Sequence, residues 1–195
     1  DFIITRSDAE SFVLENNLIK EHAPKYNIRL RDDKSYPYVQ VNWNETFPRL
    51  EYVRRPKKLR GKELFGPYPT GSNISMIMRV LTKSFGLRDC SLTEFRSRKT
   101  PCLLYQMKQC SAPCVGLIDD KAYSDVLKTA TGFFQGPIKA RRALQTLKDK
   151  MNKYAESEEF EMAAIIRDHL SLLEEFLEKS YDQKVESLKT EKNID

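Results

Sequence analysis

Four cysteines, Cys90, Cys102, Cys110 and Cys114, fall within 25 residues of a 195-residue chain that has no others. Thiols that merely fill a core are spread along a sequence. Four in one short, basic, proline-punctuated stretch point instead to a single four-thiolate centre for zinc or an iron–sulfur cluster. Two disulfides would need an oxidising compartment, and no secretory leader is recognisable ahead of the cluster. Four unligated buried thiols would need a coincidence of position. Eleven, seven and three residues separate successive cysteines, which is not the paired CxxC pattern of zinc knuckles. Thiolate-only ligation from a loop-rich segment leans towards iron–sulfur, with zinc as the alternative.

At 195 residues, 40 % hydrophobic and 10 % aromatic, the chain has room for one or two small globular domains. No apolar run approaches the roughly 18 residues of a membrane-spanning helix, which excludes an integral helical membrane protein. The formal charge of +5 is unevenly spread. Residues 1–142 hold 25 Lys and Arg against 15 Asp and Glu, whereas residues 143–195 hold 8 against 13. The first part suits a polyanionic partner and the last does not.

Ser7 and Glu10 form a capping-box pair, so a helix is expected from about Asp8 to about His22, ending before Pro24. Phe12, Leu14, Leu18 and Ile19 make one apolar arc at helical spacing, and Glu15 projects within it. A carboxylate there costs free energy unless it is paired, hydrogen-bonded or bound to a cation. Glu15 is therefore a candidate metal ligand, the alternative being a snorkelling or lysine-paired side chain. Beyond Asn27 the sequence turns strand-like: Tyr38 to Val41, with Trp43 just beyond, and Arg49 to Val53 read as a short antiparallel pair. The second strand runs into a basic stretch containing Arg54, Arg55, Lys57, Lys58, Arg60 and Lys62. Such a density favours phosphate contacts through counterion release, the bland reading being a solvated loop. Tyr36, Tyr38 and Trp43 could stack on bases, although aromatic residues in strands more often fill a core.

The rigid turn FGPYPTGSN leads to a helix from about Ile74 to Phe85 that stops at Gly86. In or beside the cysteine window, Arg88, Arg96, Arg98, Lys99 and Lys108 supply cations that favour thiolate and offset the charge of a four-thiolate centre. Another helix is expected from the N-cap Asp119 to Gly136-Pro137. Then Ala140, Leu144, Leu147, Met151 and Tyr154, a polar break at 156–159, and Phe160, Ala163, Arg167, Leu170, Leu173 and Leu177 spell an antiparallel helical hairpin. Its second helix has a neighbouring apolar face of Met162, Ile165, His169, Leu172 and Phe176, more than one partner helix covers. That surplus predicts docking of another helical element, with packing on the preceding domain as the alternative. His169 reads as a packed histidine, and residues after about Ser180 as a frayed polar tail.

The blocks VLENNLIKEHAPKYNIRLRDDKSYPY, FGPYP, CLLYQMKQCSAPCVGLI and EFEMAAIIRD, in this order, resemble the UvrC subunits of the bacterial UvrABC excision nuclease, over Asp1 to about Leu177. The resemblance implies that the chain begins within a GIY-YIG nuclease domain that makes the 3′ incision beside a DNA lesion. Glu15 then matches its Mg2+ or Mn2+ ligand and Asn27 a second catalytic residue. It further implies a 4Fe-4S cluster, or zinc, on Cys90, Cys102, Cys110 and Cys114. Damaged duplex DNA would be held without sequence readout by Arg54, Arg55, Lys57, Lys58, Arg60, Lys62, Arg96, Arg98 and Lys99. Residues from about Ala143 to Leu177 resemble the UVR motif, which implies docking on UvrB through Phe160, Ala163, Ala164, Arg167 and Leu170. The GIY and YIG segments, and an RNase H-like half with helix-hairpin-helix elements, are expected outside this chain. It thus reads as an internal fragment of a cytoplasmic repair nuclease, with little activity alone. A non-catalytic adaptor for DNA and UvrB is the alternative.

The expected fold is α+β. It comprises the C-terminal part of a small GIY-YIG α/β nuclease domain over 1–30 and a basic β segment with short antiparallel strands over 31–70. A mostly helical four-cysteine domain over 71–137, the antiparallel helical hairpin over 138–179 and a polar tail over 180–195 complete it.

Overall fold

The computed structural model describes residues 3, 11, 14, 15, 18, 22, 36–56, 59–68 and 73–191, with side chains of the last helix described as far as residue 178. Ser11, Leu14, Glu15, Leu18 and His22 are helical, where the capping box leads one to expect a helix.

Three antiparallel strands, β1 (Tyr38–Asn42), β2 (Leu50–Val53) and β3 (Lys62–Phe65), form a sheet in the order β2-β1-β3. β1 is central because its alternating Val39 and Val41 are fully buried on one face. The register sets Val39 between Tyr52 and Phe65, and Val41 between Leu50 and Glu63. Gln40 points the other way and donates to Glu51 at 3.1 Å. The first two strands are the pair expected from the sequence; β3 is a correction. In the sequence Lys62 belongs to the basic stretch and Phe65 to the turn, and within the expected β segment over 31–70 the residues KELF are not read as a third strand. Pairing with β1 is what makes them a strand.

Helix α1 (Ile74–Phe85) buries Ile74, Ile77 and Leu81 along one stripe and ends at Gly86, whose φ of 66° closes the C-cap. The Gly86 N–H donates to the Lys83 carbonyl, and Leu87 N–H to Thr82 at 2.8 Å, which satisfies carbonyls the helix end would leave unpaired. Two short helices, α2 (Leu92–Ser97) and α3 (Leu103–Gln106), and a 3-10 turn at Pro113–Val115 carry the cysteine window. Asp119 caps α4 (Asp120–Gly132) by accepting from Ala122 N–H at 2.8 Å. The hairpin is α5 (Pro137–Glu156) and α6 (Phe160–Glu191).

One core joins the sheet, α1, α4 and the hairpin, running from Val39 and Val41 through Ile77, Leu81 and Leu127 to Leu147 and Leu173. Each such fully buried side chain contributes about 1.5–3 kcal/mol, so the hairpin is anchored in the same apolar interior as the sheet. α6 runs on to Glu191, whereas the sequence reading left residues after Ser180 as a frayed tail. The stretch DQKVESLKTE is rich in helix formers and has no Gly or Pro, so nothing in it stops the helix at the end of its apolar stripe. Among the described residues no helix is long and apolar enough to cross a membrane.

Candidate four-cysteine centre and its surroundings

The centre is built on a buried cation. Arg88, two residues past the α1 cap, is only 1 % exposed. Its Nε donates to the Phe47 carbonyl at 2.8 Å, its Nη1 to the Cys90 carbonyl at 2.9 Å, and its Nη2 to Glu45 at 2.6 Å. The guanidinium also lies 5.2 Å from the centre of the Phe95 ring. Its backbone N–H donates to Tyr123 Oη at 3.0 Å, and that hydroxyl donates to the Pro48 carbonyl at 2.7 Å. The segment entering Cys90 is therefore fixed from the β1–β2 turn and from α4 together. Arg88 acts on the Cys90 thiol as the expected offsetting cation, and burial with complete pairing also makes it a strut.

Cys102 is the N-cap residue of α3, and Cys114 sits in the 3-10 turn. Cys110, 8 % exposed, accepts the Ala112 N–H on its sulfur at 3.4 Å. All four cysteines are free thiols, so no disulfide links them. Burial pushes the Cys110 thiol up, the hydrogen bond from Ala112 N–H opposes the rise, and the charges of Cys102, Cys90 and Cys114 add to it. Burial likewise raises Cys90, opposed by Arg88 and Arg98. The loop reaches this arrangement through left-handed backbone at Lys108 (φ 57°) and Ala112 (φ 51°), uncommon for residues with a Cβ and costly by about 1–3 kcal/mol each. Among the described residues three buried side-chain atoms lack a hydrogen bond, Arg98 Nε, Gln109 Oε1 and Ser111 Oγ, and all lie in this window.

The chemistry of the donor set suits a thiolate-bound group: four free thiols share one window with three unpartnered buried polar atoms, and Arg88 and Arg98 act on Cys90. Among the described residues no three His, Cys, Asp or Glu side chains stand together as a group that could hold a metal ion.

The basic stretch is the connection from one sheet edge, β2, to the other, β3. Arg54, Arg55 and Arg60 are exposed and Lys62 is half-buried at the start of β3; Lys57 and Lys58 lie outside the described residues. Arg54 rests on Tyr52, its Nε 3.3 Å from the hydroxyl. Near the cysteines Arg96 and Lys99 are exposed. Lys108 is spent on an ion pair with Glu159 at the hairpin tip and lies 5.4 Å from the Tyr154 ring centre. Tyr36, Tyr38 and Trp43 are half-buried, Trp43 donating to Glu63 at 2.9 Å.

On the hairpin, Phe160 is 66 % exposed, Ala163 and Ala164 are half-buried, Arg167 is exposed and bonded to Asp168, and Leu170 is 4 % exposed, inside the hairpin core. Much of the face that looked surplus is covered by the chain itself. His169 shares a 2.7 Å hydrogen bond with Ser84 of α1. Leu172 and Phe176 pack on the core, Phe176 with ring centres 6.1 Å from Phe133 and 6.4 Å from Tyr68. What α6 leaves open is its first turns, at Phe160 and Ile165.

Comparison with known proteins follows the same divisions. Residues 36–133 match the family model described as the UvrC/Cho excinuclease middle domain, which is half of the chain. The chain belongs to the UvrC family. Residues 1–28 match the UvrC-like GIY-YIG domain and residues 141–176 the UvrB/uvrC motif. Among relatives named UvrABC system protein C, that of Syntrophus aciditrophicus (strain SB) is 42 % identical over 179 residues, covering 92 % of this chain and 28 % of the relative. That of Bdellovibrio bacteriovorus is 40 % identical over 179 residues, with the same coverage. That of Psychrobacter sp. (strain PRwf-1) is 44 % identical over 173 residues, covering 89 % of this chain and 28 % of the relative. The chain thus spans less than a third of the length of these UvrC relatives. No solved structure matches.

Within this UvrC-family chain, Glu15 is helical and exposed, and Asn27 lies outside the described residues. Lys108, within the cysteine window, pairs with Glu159 at the hairpin tip. Sequence reasoning missed Glu45, Tyr123 and the Ser84–His169 pair. Their partners lie 35 to 85 residues away in sequence, and no spacing rule reaches that far.

Proposed function

We propose that this chain is the connecting part of a nucleotide excision repair nuclease subunit. It carries the end of a 3′-incising GIY-YIG domain, a DNA-contacting four-cysteine domain and a UvrB-docking hairpin. The observation that carries this reading is the order of matches along one chain, GIY-YIG at 1–28, middle domain at 36–133 and hairpin motif at 141–176. The geometry supports it by tying the last two together: Lys108 bonds Glu159, and Ser84 bonds His169.

In the intact enzyme Glu15 holds a Mg2+ or Mn2+ ion, which when bound neutralises the scissile phosphate and the charge growing on the leaving oxygen. Its exposure leaves the carboxylate reachable by a DNA strand. The arginines of the crossover loop, Arg54, Arg55 and Arg60, with Arg96 and Lys99, grip backbone phosphates without reading bases. Lesion choice then comes from UvrB, docked at the open first turns of α6 around Phe160. Cys90, Cys102, Cys110 and Cys114 hold a 4Fe-4S cluster as a structural clamp. Thiolate-only ligation from a loop-rich segment favours a cluster over zinc.

Two measurements test the reading. Phe160→Ala, at an exposed position, is expected to leave the melting temperature unchanged and weaken binding to the C-terminal helical hairpin of UvrB about tenfold or more. Undiminished binding removes this tip from the interface. Glu15→Ala in the full-length enzyme is expected to abolish 3′ incision, and retained incision leaves the chain an adaptor only.

A further inference from the structure

On the far side of the sheet from its β2 edge, a cleft of about 370 Å³ opens between β3 and the α4–α5 turn. Trp43 and Glu63 line one wall, and Lys128, Gln135, Lys139 and Arg142 the other. We propose that this cleft is a contact site for the phosphodiester backbone of a DNA strand, distinct from the crossover loop. The proposal rests on the DNA-binding reading above and adds a second site to it.

The cleft is preformed. Gly132 at the end of α4 packs against Lys139 of α5, where an added Cβ would be in ordinary contact at 3.4 Å, and this packing brings cations of both helices to one rim. Lys139 and Arg142 are three residues apart on α5 and so share a face. The carboxylate in the cleft, Glu63, is already engaged on both oxygens: Trp43 Nε1 and Gln135 Nε2 each donate at 2.9 Å. Lys139 in turn donates to Gln135 Oε1 at 2.7 Å. This chain of bonds turns the one negative group into the wall and leaves the cations outermost. Lys128 has only a loose 3.5 Å pair with Asp125, both more than half exposed, and such pairs hold a side chain weakly.

Three cations against one internally bonded carboxylate select an anion. The volume lies at the lower end of ligand sites, enough for a nucleotide or two of a strand rather than a folded partner. The indole in the wall offers a flat apolar surface beside the phosphate track, the combination that single-strand sites use and an acidic peptide does not need. The surrounding residues 1–142 carry the chain's positive excess, so a strand held by the arginines near β2 meets no repulsion in reaching this side.

Trp43 is the only tryptophan, so its emission reports this cleft alone. The chain is titrated with a labelled single strand of about 12 nucleotides, within the usual site sizes, and with the corresponding duplex. Anisotropy gives affinity across a salt series, and Trp43 emission gives occupancy of the cleft. The expected result is a saturable change in Trp43 emission with at least one of the two, and for Lys139→Ala/Arg142→Ala a slope of log affinity against log salt smaller by about two. Both positions are exposed, and a melting curve confirms that the variant is folded. Arg54→Ala/Arg60→Ala is expected to weaken binding while the emission change at saturation persists. Binding with silent Trp43 and an unchanged slope in the α5 variant overturns the cleft but not the DNA reading. Absence of binding to either oligonucleotide overturns the DNA reading itself. An emission change with polyglutamate but neither oligonucleotide overturns the assignment of ligand class.

Discussion

Arg88 Nη2 and Glu45 Oε2 meet at 2.6 Å between two elements 43 residues apart, with the arginine side chain 1 % and the glutamate 17 % exposed. The pair pins the β1–β2 turn to the segment that carries Cys90. Truncating one member of such a pair leaves a desolvated charge behind, a loss of about 3–5 kcal/mol for a buried pair. Arg88→Met also strands the Phe47 and Cys90 carbonyls, so it is expected at the upper end of that range. Glu45→Gln keeps a polar partner and is expected to cost about 1–3 kcal/mol. Denaturant unfolding of the two variants checks the order, and equal small losses would show the strut to be dispensable.

Tyr123 extends the same strut. Its ring is fully buried and packs edge-on to Phe47 at 5.3 Å, while its hydroxyl bridges Arg88 N–H and the Pro48 carbonyl. Burial first, against the opposing pull of the Arg88 N–H and charge, pushes the phenol up to about 12. Tyr123→Phe preserves the ring packing but leaves a buried donor and a buried acceptor unpaired, an expected loss of about 1–3 kcal/mol in unfolding free energy. An ultraviolet titration is expected to show this phenol ionising after the exposed tyrosines, and coincident titration would contradict its burial.

What was legible in the sequence follows from range. The stripe Ile74, Ile77, Leu81 with Gly86 behind it, and the hairpin repeat from Ala140 to Leu177, are periodic patterns written within a few turns. The four cysteines stand out in the sequence as a group because they are local. By contrast, β3 exists only through pairing with β1, and the charge of Arg88 says nothing about its burial. The apolar face of α6 was visible, but its occupant was not. Phe133, Tyr68 and Ser84, which cover it, are brought there by the fold of α1 and α4.

That covering of α6 has a pH signature. His169 bonds Ser84, whose carbonyl also accepts Lys150 Nζ at 2.7 Å. Burial holds the His169 pKa below its ordinary 6.5, with Lys83 of α1 and Lys150 of α5 pushing the same way and Asp168 opposing. With the folded value below the unfolded one, the unfolded chain binds more protons in the interval between them. The contribution is therefore full above the unfolded pKa and is lost as pH falls through 6.5 towards the folded value. Unfolding followed from about pH 8 to about pH 5 is expected to show stability declining in the acid half, and His169→Gln is expected to flatten that decline. An identical slope in the variant would assign the effect to other groups.

Removal of the group on the cysteines should loosen the whole middle of the chain, because the loop that presents them has little else to hold it. From Asp89 to Leu117 the described side chains include few that are buried, Cys110, Ala112 and Pro113 among them, and the backbone holds two non-glycine left-handed residues. On the proposed reading, such a segment would recover its ordering cost from ligation rather than from apolar burial. Purified without oxygen, the chain is expected to carry iron and broad visible absorbance from thiolate-to-iron charge transfer. Cys110→Ala, which removes the most buried ligand, is expected to lose the colour, and chelation is expected to lower the melting temperature of the parent chain to that of the variant. A colourless protein with stoichiometric zinc would replace the cluster by a single ion on the same four thiols. Neither metal nor any stability change on chelation would reduce the cysteines to ordinary packed thiols.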